Sequence, residues 1–122
     1  MEEHKVQPSP LWKYKGQVVA LINEETISHA EHSCLYLESC TNVTFVGTAT
    51  NGANGNVTNC HLPGSILVGF TGLGTLHGDK RQLQRKGITP HIIAEPTIQA
   101  LAQGRDIAFE KAVAYLKENC KS

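Results

Sequence analysis

The sequence predicts an α/β fold with a βαβ unit, additional antiparallel strands and a C-terminal helix. Three observations carry this prediction. Two short apolar runs flank a segment of helical periodicity, two further runs meet at a Pro-Gly pair, and an apolar stripe recurs near the C-terminus. The chain has 122 residues, which is enough for one domain and not for two.

The βαβ unit comes first in the chain. Residues 17–23 (QVVALIN) are typical of a strand buried on both faces. A helix is predicted to begin near Ser28, where Ser28 would be the N-cap and Glu31 would complete a capping box. Its apolar stripe consists of Ile27, Ala30, Cys34 and Leu37. Residues 43–47 are the next strand, and strands joined through a helix should be parallel.

The second half of the chain adds a hairpin and shorter elements. Residues 57–62 and 65–71 read as strands that turn at Pro63-Gly64, and residues 92–94 as a short strand. Thr97 is expected to cap a short helix that ends at Gly104. Asp106 is expected to cap a final helix whose buried stripe is Phe109, Ala112, Val113, Leu116 and Cys120.

Composition excludes several function classes. Lys plus Arg and Asp plus Glu both number 11, so the formal net charge is zero, and neither a nucleic-acid partner nor a membrane partner is expected. No apolar run approaches the roughly 20 residues that span a bilayer. Residues 1–15 read as an N-terminal arm without a signal peptide, ahead of a domain over residues 16–122. We expect a cytoplasmic chain as written, although its parent protein could be exported.

Cysteines and histidines give no metal or cofactor site. The four cysteines are Cys34, Cys40, Cys60 and Cys120, and none forms a C-x-x-C pair typical of zinc. Cys34 and Cys40 are about 9 Å apart along the predicted helix, too far for a disulfide, so reduced thiols are expected. His29 and His32 share a helix face, but no third ligand is evident.

Three sequence blocks together resemble a known enzyme family. They are VVALINEETISHAEHS at residues 18–33, FVGTATNGANG at 45–55, and GITPHIIAEPTIQALAQGRDIAFEKAVAYL at 87–116. In this order and spacing they resemble the tail-specific (C-terminal-processing) serine peptidases, in particular the branch with the tricorn core and retinoid-binding-protein domains. The likeness covers about residues 15–118 and implies the C-terminal part of a catalytic domain with a crotonase/Clp-protease-like core.

The resemblance implies roles for four residues. The family's nucleophilic serine stands three residues before a glutamate, at the start of a helix after a buried strand, which matches Ser28 and Glu31. A hydroxyl there lies in the positive field of the helix N-terminus. The backbone N–H of His29 would then be an oxyanion donor, and Asn51 and Gly52 would lie in the loop beside the cleft. The implied substrate is a polypeptide.

The sequence departs from this family at the general base. Bacterial members have a lysine directly after a T-x-G motif, whereas Thr50-Asn51-Gly52 is followed by Ala53. The tricorn-like branch uses an upstream histidine and a glutamate ahead of G-x-x-P, but residues 82–86 contain no glutamate. The remaining candidate bases are His61, His77 and Lys80, and each reads better as a solvated or hydrogen-bonded surface residue. His91 is expected to have no chemical role, and the glycine-rich run at 72–78 reads as a turn or bulge rather than a phosphate loop.

Two functions therefore stay open. The first is a partial serine peptidase domain, incomplete or inactive as an isolated chain because a serine without a base is a weak nucleophile. The alternative is a non-catalytic module derived from the peptidase fold that oligomerises or binds a partner. In either case exposed sheet edges predict a homo-oligomer, or a missing N-terminal half that covers them.

Overall fold

The computed structural model describes residues 5–119 and confirms the predicted α/β class. The elements are β1 (Val18–Ile22), α1 (His29–Cys40), β2 (Val43–Gly47), β3 (Val57–Leu62), β4 (Ile66–Thr71), β5 (Ile92–Ile93), α2 (Ile98–Ala102) and α3 (Ile107–Asn119). Within this part of the chain, no helix combines the length and the apolar character needed to cross a membrane.

A three-stranded sheet of order β1-β2-β5 forms the centre of the fold, and both of its pairings are parallel, as predicted for the βαβ unit. Phe45 of β2 faces α1, where it packs with Cys34 and Leu35. Val46, the next residue, faces α3 and packs with Ala112. The alternation of side chains along β2 therefore fills one core on each face of the sheet.

Among the described residues, the expectation that β1 is buried on both faces is confirmed only in part, because Val18 and Ala20 pack on the α1 side and Val19 on the α3 side without being fully buried. β1 lies at the edge of the sheet, where only β2 pairs with it, and Leu21 is 46% exposed. The central strand is β2, which is buried at four of its five positions. Strand order, which a local apolar run does not encode, decides which of two similar runs lies inside.

The predicted helix stripes are confirmed in part, since Leu37 on α1 packs beside Cys34 as expected while other members of the stripes are exposed. On α1 the buried residues are Glu31, Cys34 and Leu35, while Ile27 and Ala30, which precede or open the helix, are exposed. On α3 only Ala112 is fully buried and Phe109 is 56% exposed, with Val113 and Leu116 half-buried. Cys120 lies outside the described residues. Small side chains, Ala108 and Ala112, make the close contact of α3 with the sheet.

Three of the four predicted helix-end signals are confirmed. The Thr97 side chain accepts a hydrogen bond from the Ala100 N–H, and Asp106 Oδ1 accepts one from the Phe109 N–H. Gly104 has the positive φ of 67° expected after a helix. The capping box at Ser28 is wrong, because the Ser28 side chain makes no capping hydrogen bond and Glu31 turns away from it.

β3 and β4 form the predicted antiparallel hairpin, with Leu62 opposite Ile66 next to the turn. All twelve residues of the two strands are exposed, so the hairpin projects from the body of the chain. The glycine-rich run that follows leads into an isolated antiparallel bridge between Leu76 and Gln82, in agreement with a turn among antiparallel segments.

Candidate active site

The turn between β1 and α1 presents Ser28 in an unusual backbone conformation. Ser28 has φ 55° and ψ −114°, and its side chain is exposed. Positive φ costs a residue with a Cβ about 1–3 kcal/mol and recurs at functional sites. A strained serine on a sharp strand-to-helix turn is also how other serine hydrolases expose their nucleophilic oxygen.

Two polar groups at this turn, the Ser28 hydroxyl and the His29 N–H, have no hydrogen-bond partner among residues 5–119. No residue between 5 and 119 is hydrogen-bonded to the Ser28 hydroxyl. The backbone N–H of His29, the first residue of α1, likewise has no acceptor within that range, whereas the next amide, of Ala30, binds the Ile27 carbonyl at 3.1 Å. An exposed hydroxyl and an amide of this kind at a helix N-terminus are two of the groups that acyl transfer needs.

Glu31 fixes the loop next to this turn. Its side chain is fully buried, and its carboxylate accepts hydrogen bonds from the Thr50 hydroxyl at 2.6 Å, the Gly52 N–H at 2.6 Å and the Ala53 N–H at 3.0 Å. A buried carboxylate is stable only when its oxygens are satisfied in this way. The S-x-x-E spacing therefore ties the start of α1 to the T-N-G-A loop.

Thr50 extends the same network to the Gly-Ile-Thr-Pro segment. Its hydroxyl oxygen accepts a hydrogen bond from the Ile88 N–H at 2.8 Å, and its own N–H donates to the Ile88 carbonyl at 3.1 Å. Gly87 has φ 70°, and a Cβ there would collide with the Thr50 carbonyl oxygen. A Cβ on Gly52, at φ 75°, would lie 2.8 Å from the Gly87 nitrogen. Both glycines are therefore required by close backbone contact.

Asn51 and Gly52, the two residues predicted for the cleft loop, differ in their exposure to solvent. Asn51 is exposed, and its N–H donates to the Thr26 carbonyl at 3.1 Å, so it sits against the turn that carries Ser28. Gly52 is buried against the 85–87 backbone.

Glu24 lies in the turn between β1 and α1 and accepts a hydrogen bond from the Thr48 hydroxyl at 2.8 Å. Its own backbone N–H and this hydroxyl hold the pKa of the Glu24 carboxyl below its usual value.

Of the three candidate bases, His77 differs from its predicted position on the surface. It is buried rather than on the surface, and its Nδ1 lies 2.6 Å from Glu38 on α1. Glu38 follows Ser28 by ten residues, which is about 15 Å along a helix. His61 lies on the exposed hairpin and Lys80 is exposed. Between residues 5 and 119, none of these three is hydrogen-bonded to Ser28.

The other histidines have structural contacts. His91 Nδ1 accepts a hydrogen bond from the Phe45 N–H at 2.9 Å, and the two rings stack. His32 contacts Tyr36 and Asn54 through its two ring nitrogens. His29 is exposed. Among residues 5–119 no group of three or more His, Cys, Asp or Glu residues could hold a metal ion.

The contacts of Glu31 and Thr50 differ from those that the sequence predicts. The predicted capping box pairs Glu31 with Ser28, whereas the Glu31 carboxylate binds the loop 19–22 residues further along the chain. The combination of S-x-x-E with T-x-G was a usable signal, since a glutamate facing inward from a helix needs donors such as a threonine hydroxyl and loop amides.

Comparison with known proteins places the chain in a family. The family model described as Peptidase family S41 matches residues 1–94. Among curated protein sequences, none matches. A protein of Parabacteroides merdae named as a candidate peptidase is 25% identical with a TM-score of 0.82, over 91% of this chain and 35% of its own.

Two further solved structures are similar. Mature CPAF in complex with lactacystin is 27% identical, with a TM-score of 0.65, over 91% of this chain and 21% of its own. The tricorn protease shares the fold at 17% identity, with a TM-score of 0.71, over 97% of this chain and 13% of its own. The chain thus spans about a third or less of the length of these structures. It belongs to peptidase family S41 and forms a peptidase-like domain.

Proposed function

We propose that residues 16–122 are the C-terminal part of a tail-specific serine peptidase domain, in which Ser28 is the nucleophile. The observation that carries this proposal is the strained, exposed Ser28, beside which the His29 N–H has no acceptor among residues 5–119. Family membership supports the same proposal, and the S-x-x-E spacing of Ser28 and Glu31 is the one that the resemblance to tail-specific peptidases implies for the nucleophile. The substrate class is a polypeptide cleaved near its C-terminus.

The chemistry follows from these groups. Ser28 Oγ attacks the carbonyl carbon of the scissile peptide bond, and a base takes the hydroxyl proton. The carbonyl oxygen becomes an oxyanion, to which the His29 N–H donates a hydrogen bond. The amine leaves with the proton, and water then hydrolyses the ester on Ser28. The positive end of α1 favours the negative charge formed in both steps.

The general base is missing from the position after the T-x-G motif, where the resemblance to bacterial members implies it. Ala53 stands where bacterial members have lysine, and alanine cannot take a proton. Ala53 is nevertheless held firmly, because its N–H donates to the buried Glu31. We therefore propose that another segment of the parent protein or a partner chain provides the base, and that the isolated chain has little or no peptidase activity.

Installing the missing base tests this proposal. The Ala53→Lys variant should react with a fluorophosphonate probe at least about tenfold faster than the natural chain, because a lysine activates a neighbouring serine hydroxyl. Ala53→Met is the matched control, since it adds similar length without a base. The gain should disappear in the double variant with Ser28→Ala and persist with Ser33→Ala, a nearby exposed serine on α1. Circular dichroism verifies that each variant is folded.

Three outcomes would count against the proposal. Labelling of Ala53→Lys that survives Ser28→Ala would place the nucleophile elsewhere. A folded Ala53→Lys variant that is labelled no faster than the natural chain would show that residue 53 does not lie close enough to the nucleophile to act as its base. Strong labelling of the natural chain that disappears in Ser28→Ala would show that a base is already present, and the proposed inactivity would be wrong.

A non-catalytic module is the second candidate, favoured by Ala53 and by the outer edge of β1, which no other strand of residues 5–119 pairs with. An unpaired strand edge promotes association with another chain. Light scattering of the natural chain separates the two. A monomer at high concentration would argue against the module, whereas a stable oligomer without probe labelling in any variant would favour it.

A further inference from the structure

Two exposed cations, Arg85 and Lys86, lie in the segment that leads into the Gly-Ile-Thr-Pro motif. Within the part of the chain that the structure describes, neither of them forms an ion pair. Arg81, a few residues earlier, is by contrast paired with both Glu38 and Asp79. The charges of Arg85 and Lys86 are therefore not neutralised by any carboxylate of the described chain.

The backbone holds these two residues against the loop next to the candidate nucleophile. The Arg85 N–H donates to the Gly52 carbonyl at 2.8 Å, and a Cβ on Gly52 would lie 2.9 Å from the Lys86 nitrogen. Through Asn51, the same loop is hydrogen-bonded to the turn that carries Ser28. One loop thus connects the two cations with the place where we propose that the scissile bond is attacked.

The turn that carries Arg85 is fixed by backbone hydrogen bonds. Besides the bond to Gly52, the N–H groups of Lys86 and Gly87 donate to the Leu83 carbonyl at 3.0 and 2.8 Å. In this turn Arg85 has φ 65°, a conformation that costs a residue with a Cβ about 1–3 kcal/mol and persists only where its surroundings hold it. Because this backbone is ordered before a ligand arrives, less entropy is lost on binding.

The neighbouring groups leave this corner of the site positively charged. The loop of residues 48–56 contains no Asp, Glu, Lys or Arg, and the Glu31 carboxylate that binds this loop is fully buried and accepts from three donors. Among the described residues, neither Glu24 nor Glu25 of the turn before Ser28 forms an ion pair with the two cations. An anionic ligand group is therefore favoured here.

We propose that Arg85 and Lys86 bind a carboxylate of the polypeptide substrate, which is either its terminal carboxylate or an acidic side chain. This inference rests on the proposed peptidase function, because it assigns a substrate subsite beside Ser28. The Arg85 guanidinium can hold a carboxylate through two parallel N–H groups, and the Lys86 ammonium adds a second positive charge. Because both side chains are exposed, the interaction is weakened by water and salt.

The reach of a peptide agrees with this assignment. The backbone path from Arg85 to Ser28 runs through Gly52, Asn51 and Thr26. Its two hydrogen-bonded contacts of about 5 Å and three Cα steps of about 3.8 Å limit the separation of the end Cα atoms to roughly 21 Å. An extended peptide advances about 3.3 Å per residue, so the bound carboxylate lies within about six residues of the scissile bond.

NMR titration of the isotope-labelled chain tests the proposal, because it measures weak binding. The ligands are three acetylated hexapeptides: a neutral one with a free terminal carboxylate, the same peptide with a terminal amide, and the amide with one internal glutamate. At least one of the two acidic peptides should bind about tenfold more tightly than the neutral amide. Tighter binding of the free acid assigns the chain terminus, and tighter binding of the glutamate peptide assigns an acidic side chain. The shifted amides should lie in residues 50–55 and 83–87.

Matched variants locate the binding site. The double variant Arg85→Gln with Lys86→Gln should lose the preference for a carboxylate. Lys80→Gln is the control and should keep it, because Lys80 is an exposed lysine of the same segment with a positive φ of 70°. Ser28→Ala should keep it too, since binding needs no nucleophile. Failure of the peptidase proposal would therefore appear as absent probe reaction while carboxylate binding persists.

Two results would overturn this subsite. Absence of binding, or equal affinity for the three peptides, would show that the cations do not recognise a carboxylate. An equal loss of preference in folded Lys80→Gln would reduce the effect to general attraction between opposite charges. The NMR spectrum of each variant verifies that it is folded.

Discussion

Replacement of Glu31 is the most informative perturbation of the fold that carries Ser28. The side chain is fully buried and satisfies one hydroxyl and two backbone amides of the T-N-G-A loop at 2.6–3.0 Å. A buried donor left without its acceptor costs about 1–3 kcal/mol. Glu31→Gln replaces one acceptor oxygen by an NH2 group that faces a donor, so we expect a loss of about 2 kcal/mol in the free energy of unfolding.

Glu31→Ala removes all three acceptor contacts and leaves a cavity, so its expected cost is about 4 kcal/mol. Thr50→Val removes the hydroxyl that donates to Glu31 and accepts from the Ile88 N–H. The costs of Glu31→Gln and Thr50→Val should not add, and a double-mutant cycle should give a coupling of about 1 kcal/mol.

Urea titrations followed by circular dichroism measure these energies from the midpoint and slope. Glu25→Gln is the matched control, because Glu25 is an exposed glutamate in the preceding turn, and its substitution should change stability by less than about 0.5 kcal/mol. If Glu31→Gln unfolds at the same urea concentration as Glu25→Gln, the reasoning that the carboxylate holds the loop is refuted.

Three further comparisons use pairs of sites. Gly87→Ala should cost at least about 2 kcal/mol more than Gly104→Ala in urea titrations, since both have positive φ but only at Gly87 would a Cβ meet neighbouring backbone. The Ser28→Gly variant should be more stable than Ser28→Ala, with a free energy of unfolding about 1 kcal/mol larger, because glycine adopts φ 55° without strain. Cys34 should react with a maleimide at about pH 8 at least tenfold more slowly than Cys40, as peptide mass mapping would measure. Burial, reinforced by two nearby carboxylates, raises the pKa of the Cys34 thiol. Equal values within any of these pairs would contradict the structural reason given for it.

Local patterns predicted most of the secondary structure. Strands β2 (Val43–Gly47) and β3 (Val57–Leu62) begin and end at the predicted residues, because their apolar and β-branched runs are bounded by turn-forming residues. The caps at Thr97 and Asp106 were predictable for the same reason, since each depends on a side chain and an amide three residues away.

Features that depend on distant residues were not predictable in this way. The edge position of β1 depends on which strands pair, and the burial of His77 depends on Glu38, which is 39 residues earlier. Glu31 was misread because a charged residue in the first helical turn commonly serves the helix end. In the structure, three hydrogen-bond donors of the loop after β2 satisfy the Glu31 carboxylate instead.

Regioselective modification of the natural chain tests directly whether Ser28 is presented for attack. At about pH 9, a reactive phosphonofluoridate modifies serines slowly without a protein base, and peptide mass mapping gives the rate at each serine. Ser33 is the internal reference, since it is also exposed but its hydroxyl donates to the His29 carbonyl at 3.0 Å. We predict a rate at Ser28 at least about tenfold above that at Ser33. Equal rates at the two serines would contradict the account.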